Sequence, residues 1–351
     1  MATALFNSTP FTTELQLTQR LNNEIKALWH QGTFDYFKGI NDTRINYAAF
    51  VKNSFEKKPE INNDNRGCVV IVPGRSEGYL KYQELTFDLY QQGYDIFIID
   101  HRGQGLSERL LPNRHKGYVD AFDDYSADLH LFIEQIVSQH RPDKPYLLAH
   151  SMGGIIAARY LQKHPETIKA AVLSSPMIAI NGGGLPKWLT KMLINSAEQL
   201  NQWLSNEAWY FLGQSDIKEQ AYQAKNFSNN PLMQSQVRYQ EFTQLYQSIP
   251  EIQLGGVTVH WLAQALKAEN EVFDHIKALV TPILVLQAGA DSIVDNVAQD
   301  KFCQQLNKHH AKSCPNGRPI VIEHARHELF FEADHYRDQA IKHMLTWFDK
   351  H

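Results

Sequence analysis

The stretch Tyr-Leu-Leu-Ala-His-Ser-Met-Gly-Gly-Ile-Ile at residues 146–156 joins an apolar strand-like run, a serine and an apolar helix-like run. This order is typical of a nucleophile elbow, a sharp strand-to-helix turn that presents a serine hydroxyl to a general base. The turn brings together the residues two before and two after Ser151, which are the small residues Ala149 and Gly153. The usual pattern G-x-S-x-G is thus changed by one methyl group. The alternative interpretation is a helix N-cap, because serine commonly begins helices.

The sequence on both sides of this motif alternates between short apolar strands and helices from residue 45 onward. Short apolar runs bounded by turns are typical of a sheet covered on both faces, and the alternation with helices predicts a mostly parallel sheet. The clearest helix has an apolar face from Tyr125 to Val137, after a cap predicted at Asp123. Another helix follows Ser151 and ends near His164. The predicted strands are 45–51, 68–72, 94–99, 146–148, 171–173, 283–286 and 320–322.

A helical segment interrupts this alternation between residues 177 and 279. It is rich in Gln and Asn, and it contains four of the six tryptophans. We interpret it as a cap inserted into one sheet domain, so that residues 1–176 and 280–351 form the two parts of the core. Most of the four rings are expected to pack inside the cap, and some are expected to line an apolar pocket over Ser151. The four are Trp188, Trp203, Trp209 and Trp261.

The N-terminal region predicts an amphipathic helix over residues 13–30, with Leu17, Leu21, Ile25 and Leu28 on one face. We favour a helix packed on the sheet, since apolar helical faces are usually buried. The alternative is a membrane-surface anchor, but the charged face is mixed in sign. The sequence shows neither a signal peptide nor an apolar run of the ~20 residues that a membrane span needs. A cytoplasmic location is therefore expected.

The acid of a catalytic triad is predicted just after the strand at 283–286. A serine nucleophile requires a histidine base, and the base requires an orienting acid. In doubly wound sheets the functional residues gather at the carboxyl ends of strands. Asp291 follows this strand through a turn that contains glycine, and Asp295 is the competing acid four residues later. Asp291 is favoured because it lies closer to the strand end.

The base is predicted after the strand at 320–322. His327 is favoured over His324, because only His327 is far enough from the strand end to reach back over the sheet. The resulting chain order of Ser151, Asp291 and His327 is the order expected for α/β-hydrolases. The sequence therefore predicts the α/β-hydrolase fold, a mostly parallel doubly wound sheet with an inserted helical cap.

Two backbone N–H groups are expected to form the oxyanion hole. One belongs to Met152, directly after the nucleophile, and the other to Arg75, in the loop that follows the strand at 68–72. The Asp-His-Arg-Gly-Gln-Gly run at 100–105 lacks the pattern of a nucleotide-binding loop and is interpreted as a tight turn. The histidine spacings around His324 and His309 fit no standard zinc site, so neither a metal nor another cofactor is expected.

The composition excludes several classes of function. The net charge is −4, with 34 basic and 38 acidic residues and no basic block. Nucleic acid is therefore not an expected partner, because phosphate-backbone binding needs clustered Lys and Arg. The three cysteines, Cys68, Cys303 and Cys314, are an odd number without C-x-x-C spacing, which favours a reducing compartment over a disulfide framework.

Three motifs together resemble the bacterial lysophospholipases of the monoglyceride-lipase-like α/β-hydrolase group. They are Ile-Asp-His-Arg-Gly-Gln-Gly-Leu-Ser at 99–107, Leu-Ala-His-Ser-Met-Gly-Gly at 148–154 and Ala-Arg-His-Glu-Leu at 325–329. The similarity extends from about residue 29 to the C-terminus and includes Gly-Gly-Val-Thr-Val-His-Trp at 255–261. Ala149 and the Pro-Gly-Arg run at 73–75 favour the lysophospholipase branch, since typical monoglyceride lipases have His-Gly and G-x-S-x-G there.

The resemblance implies an esterase that releases a fatty acid from a lysophospholipid and leaves a glycerophosphodiester. It also implies a cap that shapes the acyl site and a loose peripheral association with the inner membrane surface. By position it assigns the nucleophile to Ser151, the acid to Asp291 and the base to His327. The alternatives are a monoacylglycerol lipase or general carboxylesterase, a transacylase that uses the same acyl-enzyme, and a binding protein that has lost the chemistry.

Overall fold

The computed structural model describes residues 10–52, 66–180, 186–218 and 221–351. Within these residues one eight-stranded sheet has the strand order β1-β2-β4-β3-β5-β6-β7-β8. Strands β3 to β8 are parallel, while β2 runs antiparallel to both β1 and β4. The predicted mostly parallel sheet is therefore confirmed. The strands are β1 (Thr33–Lys38), β2 (Arg44–Phe50), β3 (Cys68–Val72), β4 (Asp95–Ile99), β5 (Tyr146–His150), β6 (Ala171–Ser174), β7 (Ile283–Ala288) and β8 (Ile320–Ile322).

Helices connect the parallel strands and cover the sheet. The α-helices are α1 (Glu14–Asn22), α2 (Glu24–Trp29), α3 (Gln83–Gln91), α4 (Phe122–Phe132), α5 (Ser138–His140), α6 (Met152–Lys163), α7 (Lys187–Leu204), α8 (Gln236–Ser248), α9 (Val259–Asp274), α10 (Asn296–His309) and α11 (Asp334–Lys350). A π-helical turn at Ile133–Val137 joins α4 to α5. Short 3₁₀ turns occupy Ile40–Asp42, Tyr79–Tyr82, Ala224–Asn229, Pro250–Ile252, Ile276–Ala278, Pro315–Gly317 and Leu329–Phe331.

The central strands bury side chains on both faces because alternate residues point in opposite directions. In β3, Val70 and Val72 join one hydrophobic cluster, and Val69 and Ile71 join the other. The first cluster includes residues of α4, α6, α9 and α10, and the second includes residues of α1, α3 and α11. This double burial explains why the sequence of β3 is a continuous apolar run rather than an alternating one.

Edge strand β1 was not predicted from the sequence. Its burial is low, since Phe37 is the one buried side chain in Thr33–Lys38. It therefore carries neither an apolar run nor a clean alternation, and its position depends on antiparallel pairing with β2.

Two helix predictions need correction. The expected helix over residues 13–30 is divided into α1 and α2 at Asn23, whose φ of −122° and ψ of −91° are not helical. Its apolar face packs as favoured, because Leu17, Ile25 and Leu28 are buried in the second cluster. The predicted cap at Asp123 is wrong, because α4 begins one residue earlier and Asp123 instead pairs with Arg159.

In the described parts of segment 177–279 the regular elements are helical. Helix α9 joins the core cluster, and Trp261 is buried there. The expectation that most tryptophan rings of this segment pack inside is wrong for Trp188 and Trp203, which are 68% and 81% exposed. Among the described residues, no helix is both long enough and apolar enough to span a bilayer.

Candidate active site

Ser151 lies at the junction of β5 and α6 in a backbone conformation with positive φ, at φ 50° and ψ −117°. A non-glycine residue with positive φ is strained, and such strain is typical of functional turns. A Cβ atom on Gly153 would lie 2.1 Å from the carbonyl oxygen of Val72, so the turn requires glycine at this position. Ala149 is fully buried in β5 and is accommodated. The N-cap interpretation is not supported, because the Ser151 side chain makes no capping hydrogen bond.

The side chains of Asp291, His327 and Ser151 form one hydrogen-bonded chain. Nε2 of His327 lies 3.0 Å from Oγ of Ser151, and Nδ1 of His327 lies 2.7 Å from Oδ2 of Asp291. Backbone N–H groups of Ile293 and Val294 donate to the other oxygen of Asp291. Burial opposes the charge of Asp291, but His327 and these N–H groups lower its pKa below the usual value. An ionised Asp291 can hold His327 with Nε2 free to accept the serine proton.

The competing residues lie outside this hydrogen-bonded chain. Asp295 is the N-cap of α10, where its Oδ1 accepts a hydrogen bond of 3.1 Å from the N–H of Ala298. His324 is exposed, and its backbone has a φ of 63°. The structure thus brings Asp291 and His327 to Ser151, and it leaves Asp295 and His324 in structural positions.

The two N–H groups predicted to form an oxyanion hole, those of Arg75 and Met152, belong to segments that adjoin Ser151. Val72, at the end of β3, is the register partner of Ala149, so the loop from Pro73 to Arg75 leaves the sheet next to the elbow. Within the described part of the chain, the N–H groups of Arg75 and Met152 have no hydrogen-bond acceptor. Two unpaired N–H groups next to a serine nucleophile can receive a developing oxyanion.

Residues after β4 hold this loop in place, although their sequence predicts only a tight turn. Nε2 of His101 lies 3.1 Å from the carbonyl oxygen of Pro73, and the amide of Gln104 donates to the carbonyl of Gly74 at 2.7 Å. Burial lowers the pKa of His101 to about 4, so its ring is neutral at pH 7 and Nε2–H can donate. The run at 100–105 therefore positions the loop that carries Arg75.

A buried charged cluster of Glu77, Lys81, His150 and Glu328 was also missed. Nζ of Lys81 donates to Glu77 and, at 2.6 Å, to Glu328. Burial alone would raise the pKa of Glu77, but Lys81 and His150 lower it to about 2. Burial raises the pKa of Glu328 to about 6 and lowers that of His150 to about 3. The only sequence signal was that Glu328 and His150 directly adjoin His327 and Ser151.

Glu77, His150 and Glu328 are the one described group whose ligand atoms are close enough to share a metal, all within 4.8 Å of one another. The ammonium of Lys81 already lies between the two carboxylates as their cation. The donor set is thus compensated by the chain itself. The expectation of a metal-free site remains a prediction.

A cavity of about 600 Å³ opens over Ser151. Its size is in the range of small-molecule sites. The wall near Ser151 is polar and contains Arg75, Glu77 and Lys81, whereas the wall from segment 177–279 is mainly apolar. The apolar lining includes Met177, Ile180, Leu232, Phe242, Trp261 and Leu262. An acyl chain with a polar group at one end matches this division of the cavity.

Comparison with known proteins identifies the family. A family model described as serine aminopeptidase S33 matches residues 63–334. Lysophospholipase L2 of Escherichia coli is 36% identical over 323 residues, which cover 92% of this chain and 89% of that protein. The chain belongs to this lysophospholipase L2 family. Probable lysophospholipase L2 of Haemophilus influenzae is 33% identical and covers 91% of this chain and 93% of its own length. The resemblance stated from the sequence is thus confirmed.

Two solved structures at lower sequence identity have the same fold. A soluble variant of monoglyceride lipase from Saccharomyces cerevisiae superposes with a TM-score of 0.65 at 19% identity, over 91% of this chain and 96% of that chain. The monoacylglycerol lipase of Paleococcus ferrophilus gives 0.61 at 18% identity, over 81% and 94%. These neighbours confirm the α/β-hydrolase fold for the family member described here.

Proposed function

We propose that this chain is a lysophospholipase, a serine hydrolase that cleaves the fatty-acyl ester of a lysophospholipid. The observation that carries the proposal is the hydrogen-bonded chain from Asp291 through His327 to Ser151 at the floor of a cavity with an apolar wall. Relatives named lysophospholipase L2 cover nine-tenths of the chain and support the substrate class. The products are a free fatty acid and a glycerophosphodiester.

The reaction runs through an acyl-enzyme. Oγ of Ser151 attacks the ester carbonyl while its proton passes to Nε2 of His327, and the N–H groups of Arg75 and Met152 stabilise the oxyanion. The bond from the carbonyl carbon to the glycerol oxygen breaks, and His327 protonates that oxygen. Water then attacks the acyl carbon and gives its proton to His327, and Ser151 regains a proton as the fatty acid leaves. Asp291 orients and stabilises the charged imidazole throughout.

Segment 177–279 is proposed to act as the cap of the acyl site, inserted between core parts 1–176 and 280–351. It supplies most of the apolar cavity wall, including Leu232, Phe242 and Trp261. Differences in such a wall alter the preferred acyl chain without altering the triad.

The experiment compares fatty-acid release from lysophosphatidylethanolamine and from monoolein, with Ser151→Ala as the blank. Faster release from the lysophospholipid is expected. Faster release from monoolein would contradict the proposed lysophospholipid specificity and would favour a monoacylglycerol lipase. That activity is the second candidate because the fold is similar to that of the yeast enzyme. If Ser151→Ala released fatty acid as fast as the wild type, the assignment of Ser151 as the nucleophile would be wrong.

The same assay distinguishes hydrolysis from acyl transfer. If a second lysolipid intercepts the acyl-enzyme in preference to water, diacylated lipid accumulates in place of free fatty acid. We expect free fatty acid as the main product, and a majority of diacylated product would make the protein a transacylase.

We also propose peripheral contact with a membrane surface, on the cytoplasmic face of the inner membrane. Helix α7 buries Ile194 but leaves a row of large apolar side chains exposed, and amphipathic helices of this kind bind at the lipid interface. The exposed side chains include Trp188, Met192, Leu193, Leu200, Trp203 and Leu204.

Co-sedimentation with phospholipid vesicles tests this contact. Trp203→Ser is expected to reduce the bound fraction, because it removes an 81% exposed ring from the helix face. Leu15→Ser is the matched control, since Leu15 is 97% exposed on α1, the N-terminal helix that was the alternative anchor. If only Leu15→Ser reduced vesicle binding, the membrane contact would have to be assigned to α1 instead of α7.

A further inference from the structure

The guanidinium of Arg75 is a half-buried cation in the wall of the Ser151 cavity. Within the described residues it forms no ion pair with a carboxylate. One Nη donates to the carbonyl oxygen of Gly255, and the other donates to Oγ of Ser76 at 3.2 Å. Its Nε–H is buried and has no acceptor. A charge withdrawn from water without a counterion is unfavourable, so this position is suited to an anion.

The other cationic side chain in the cavity wall is already compensated. The ammonium of Lys81 bonds the carboxylates of Glu77 and Glu328. Arg75 is therefore the permanent cation of the described cavity lining that has no anionic partner. Burial lowers the pKa of Arg75 to about 10, which still leaves the guanidinium charged at neutral pH.

Residues of the core and of the cap together fix the position of the Arg75 guanidinium. Its Cζ lies 5.8 Å from the ring centroid of Trp261, and its Nη2 lies so close to Gly117 that a Cβ there would be 2.9 Å away. Gly117 pairs with Gly256 through a backbone hydrogen bond of 2.8 Å, which closes the wall behind the guanidinium. Each Nη carries a second N–H that these two hydrogen bonds do not use, and Arg75 lines the Ser151 cavity, so a ligand in the cavity can accept hydrogen bonds from the guanidinium.

The backbone of the same residue is the proposed oxyanion donor. The guanidinium thus lies one side-chain length from the carbonyl that Ser151 attacks. In a lysophospholipid the phosphodiester is separated from the scissile ester oxygen by the glycerol carbons, a linker of comparable length. Monoacylglycerol has the same ester and glycerol but no phosphate.

We infer that the guanidinium of Arg75 binds the head-group phosphodiester of the substrate and so selects lysophospholipids over neutral glycerides. This inference rests on the proposed function. Arginine suits the role because its planar N–H groups form charge-assisted, two-pronged hydrogen bonds with phosphate oxygens. The backbone N–H at this position serves the oxyanion with any residue except proline, so substitution of the side chain separates the two roles.

The test measures kcat/KM for lysophosphatidylethanolamine and for monoolein in the wild type, Arg75→Met and Arg75→Lys. Arg75→Met is expected to lower the ratio of the two values by about tenfold to hundredfold, the usual effect of losing hydrogen bonds to a charged group. Arg75→Lys retains the charge without the planar geometry and is expected to give an intermediate ratio. Arg75→Lys also provides a second measurement of the substrate ratio if Arg75→Met folds poorly.

Arg109→Met is the matched control. Arg109 is likewise half-buried, donates to a cap carbonyl, that of Glu251, at 2.8 Å and has a buried Nε without an acceptor, but it does not line the cavity. Its substitution is expected to leave the substrate ratio unchanged. An equal fall for both substrates in Arg75→Met, or an unchanged ratio, would overturn the inference. Absence of lysophospholipid hydrolysis by the wild type would instead overturn the proposed function itself.

Discussion

His327, which lies within hydrogen-bonding distance of Ser151, is held in turn by Asp291. Its carboxylate contacts Nδ1 of His327 and is itself held by the N–H groups of Ile293 and Val294. Four residues later, Asp295 has the same chemistry but caps a helix. The two aspartates therefore provide a matched pair for separating catalysis from stability.

Asp291→Ala is expected to lower kcat on the order of 10⁴-fold, because His327 loses its orientation and the stabilisation of its charged form. Asp295→Ala is expected to keep near-wild-type kcat and to lower the free energy of unfolding by about 0.5–2 kcal/mol, through loss of the N-cap. Steady-state kinetics and thermal unfolding of both variants check this. Equal kcat in the two variants would contradict the assignment of the acid.

At the scale of residues, the sequence is sufficient to predict site residues that directly follow the ends of strands. It is not sufficient to predict residues whose contacts depend on how distant loops fold together. Ser151, Asp291 and His327 were predicted because each follows an apolar strand, and the structure brings all three together. Glu77 and Lys81 were missed, since their partner Glu328 is almost 250 positions away in the chain and no local pattern records the contact.

At the scale of elements, the β5–α6 turn depends on close contact between the first turn of α6 and the end of β3. Gly153 lies where a Cβ would be 2.1 Å from the carbonyl oxygen of Val72 and 2.6 Å from that of Pro73. Ala149 lies at the matching position on the strand side and has room for its methyl group. The departure from G-x-S-x-G is therefore on the side of the turn that tolerates it.

Gly153→Ala is expected to reduce both the thermal stability and kcat, because the backbone of the elbow or of the loop carrying Arg75 must move. Ala149→Gly is the control and is expected to cost about 0.5–1 kcal/mol, the usual effect of glycine in a regular element, with kcat retained. Circular dichroism melts and kinetics of the two variants would measure this. Wild-type stability and kcat in Gly153→Ala would contradict the proposed steric requirement.

The elements themselves were predictable where both faces are buried. β3, β5 and β7 have continuous apolar runs and were found, whereas β1 exposes all but Phe37 and was not. The division of the N-terminal helix at Asn23 was also not predictable, because its apolar face continues across the break.

At the scale of the whole molecule, the cluster of Glu77, Lys81, His150 and Glu328 joins the segment after β3, the last residue of β5 and the loop after β8. Two carboxylates share one ammonium in a buried environment, so they cannot both ionise easily. The pKa of Glu77 is lowered to about 2, and that of Glu328 is raised to about 6. The cluster thus links the stability of the active-site floor to pH.

The sign of this dependence differs between the two carboxylates. The folded-state pKa of Glu77 is below its ordinary value of 4.5, so its contribution to stability is present above about pH 4.5 and is lost as the pH falls toward 2. The folded-state pKa of Glu328 is above 4.5, so its contribution is present at low pH and is lost as the pH rises toward 6.

Glu77→Gln is therefore expected to lower the free energy of unfolding at pH 7 by about 3 kcal/mol and to flatten the loss of stability between pH 4.5 and 2. Glu328→Gln is the matched substitution and is expected to cost less at pH 7, since it removes a carboxylate that resists ionisation. Urea unfolding of both variants at several pH values measures these differences. A larger loss at pH 7 for Glu328→Gln than for Glu77→Gln would contradict the charge assignment.

The most direct measurement of the central claim is the site of covalent labelling by a fluorophosphonate lipid analogue, read by mass spectrometry of the digested protein. The account predicts one adduct, on the peptide that contains Ser151, formed rapidly in the wild type and at a strongly reduced rate in His327→Ala. Labelling of another residue, or equal labelling of wild type and Ser151→Ala, would contradict the account.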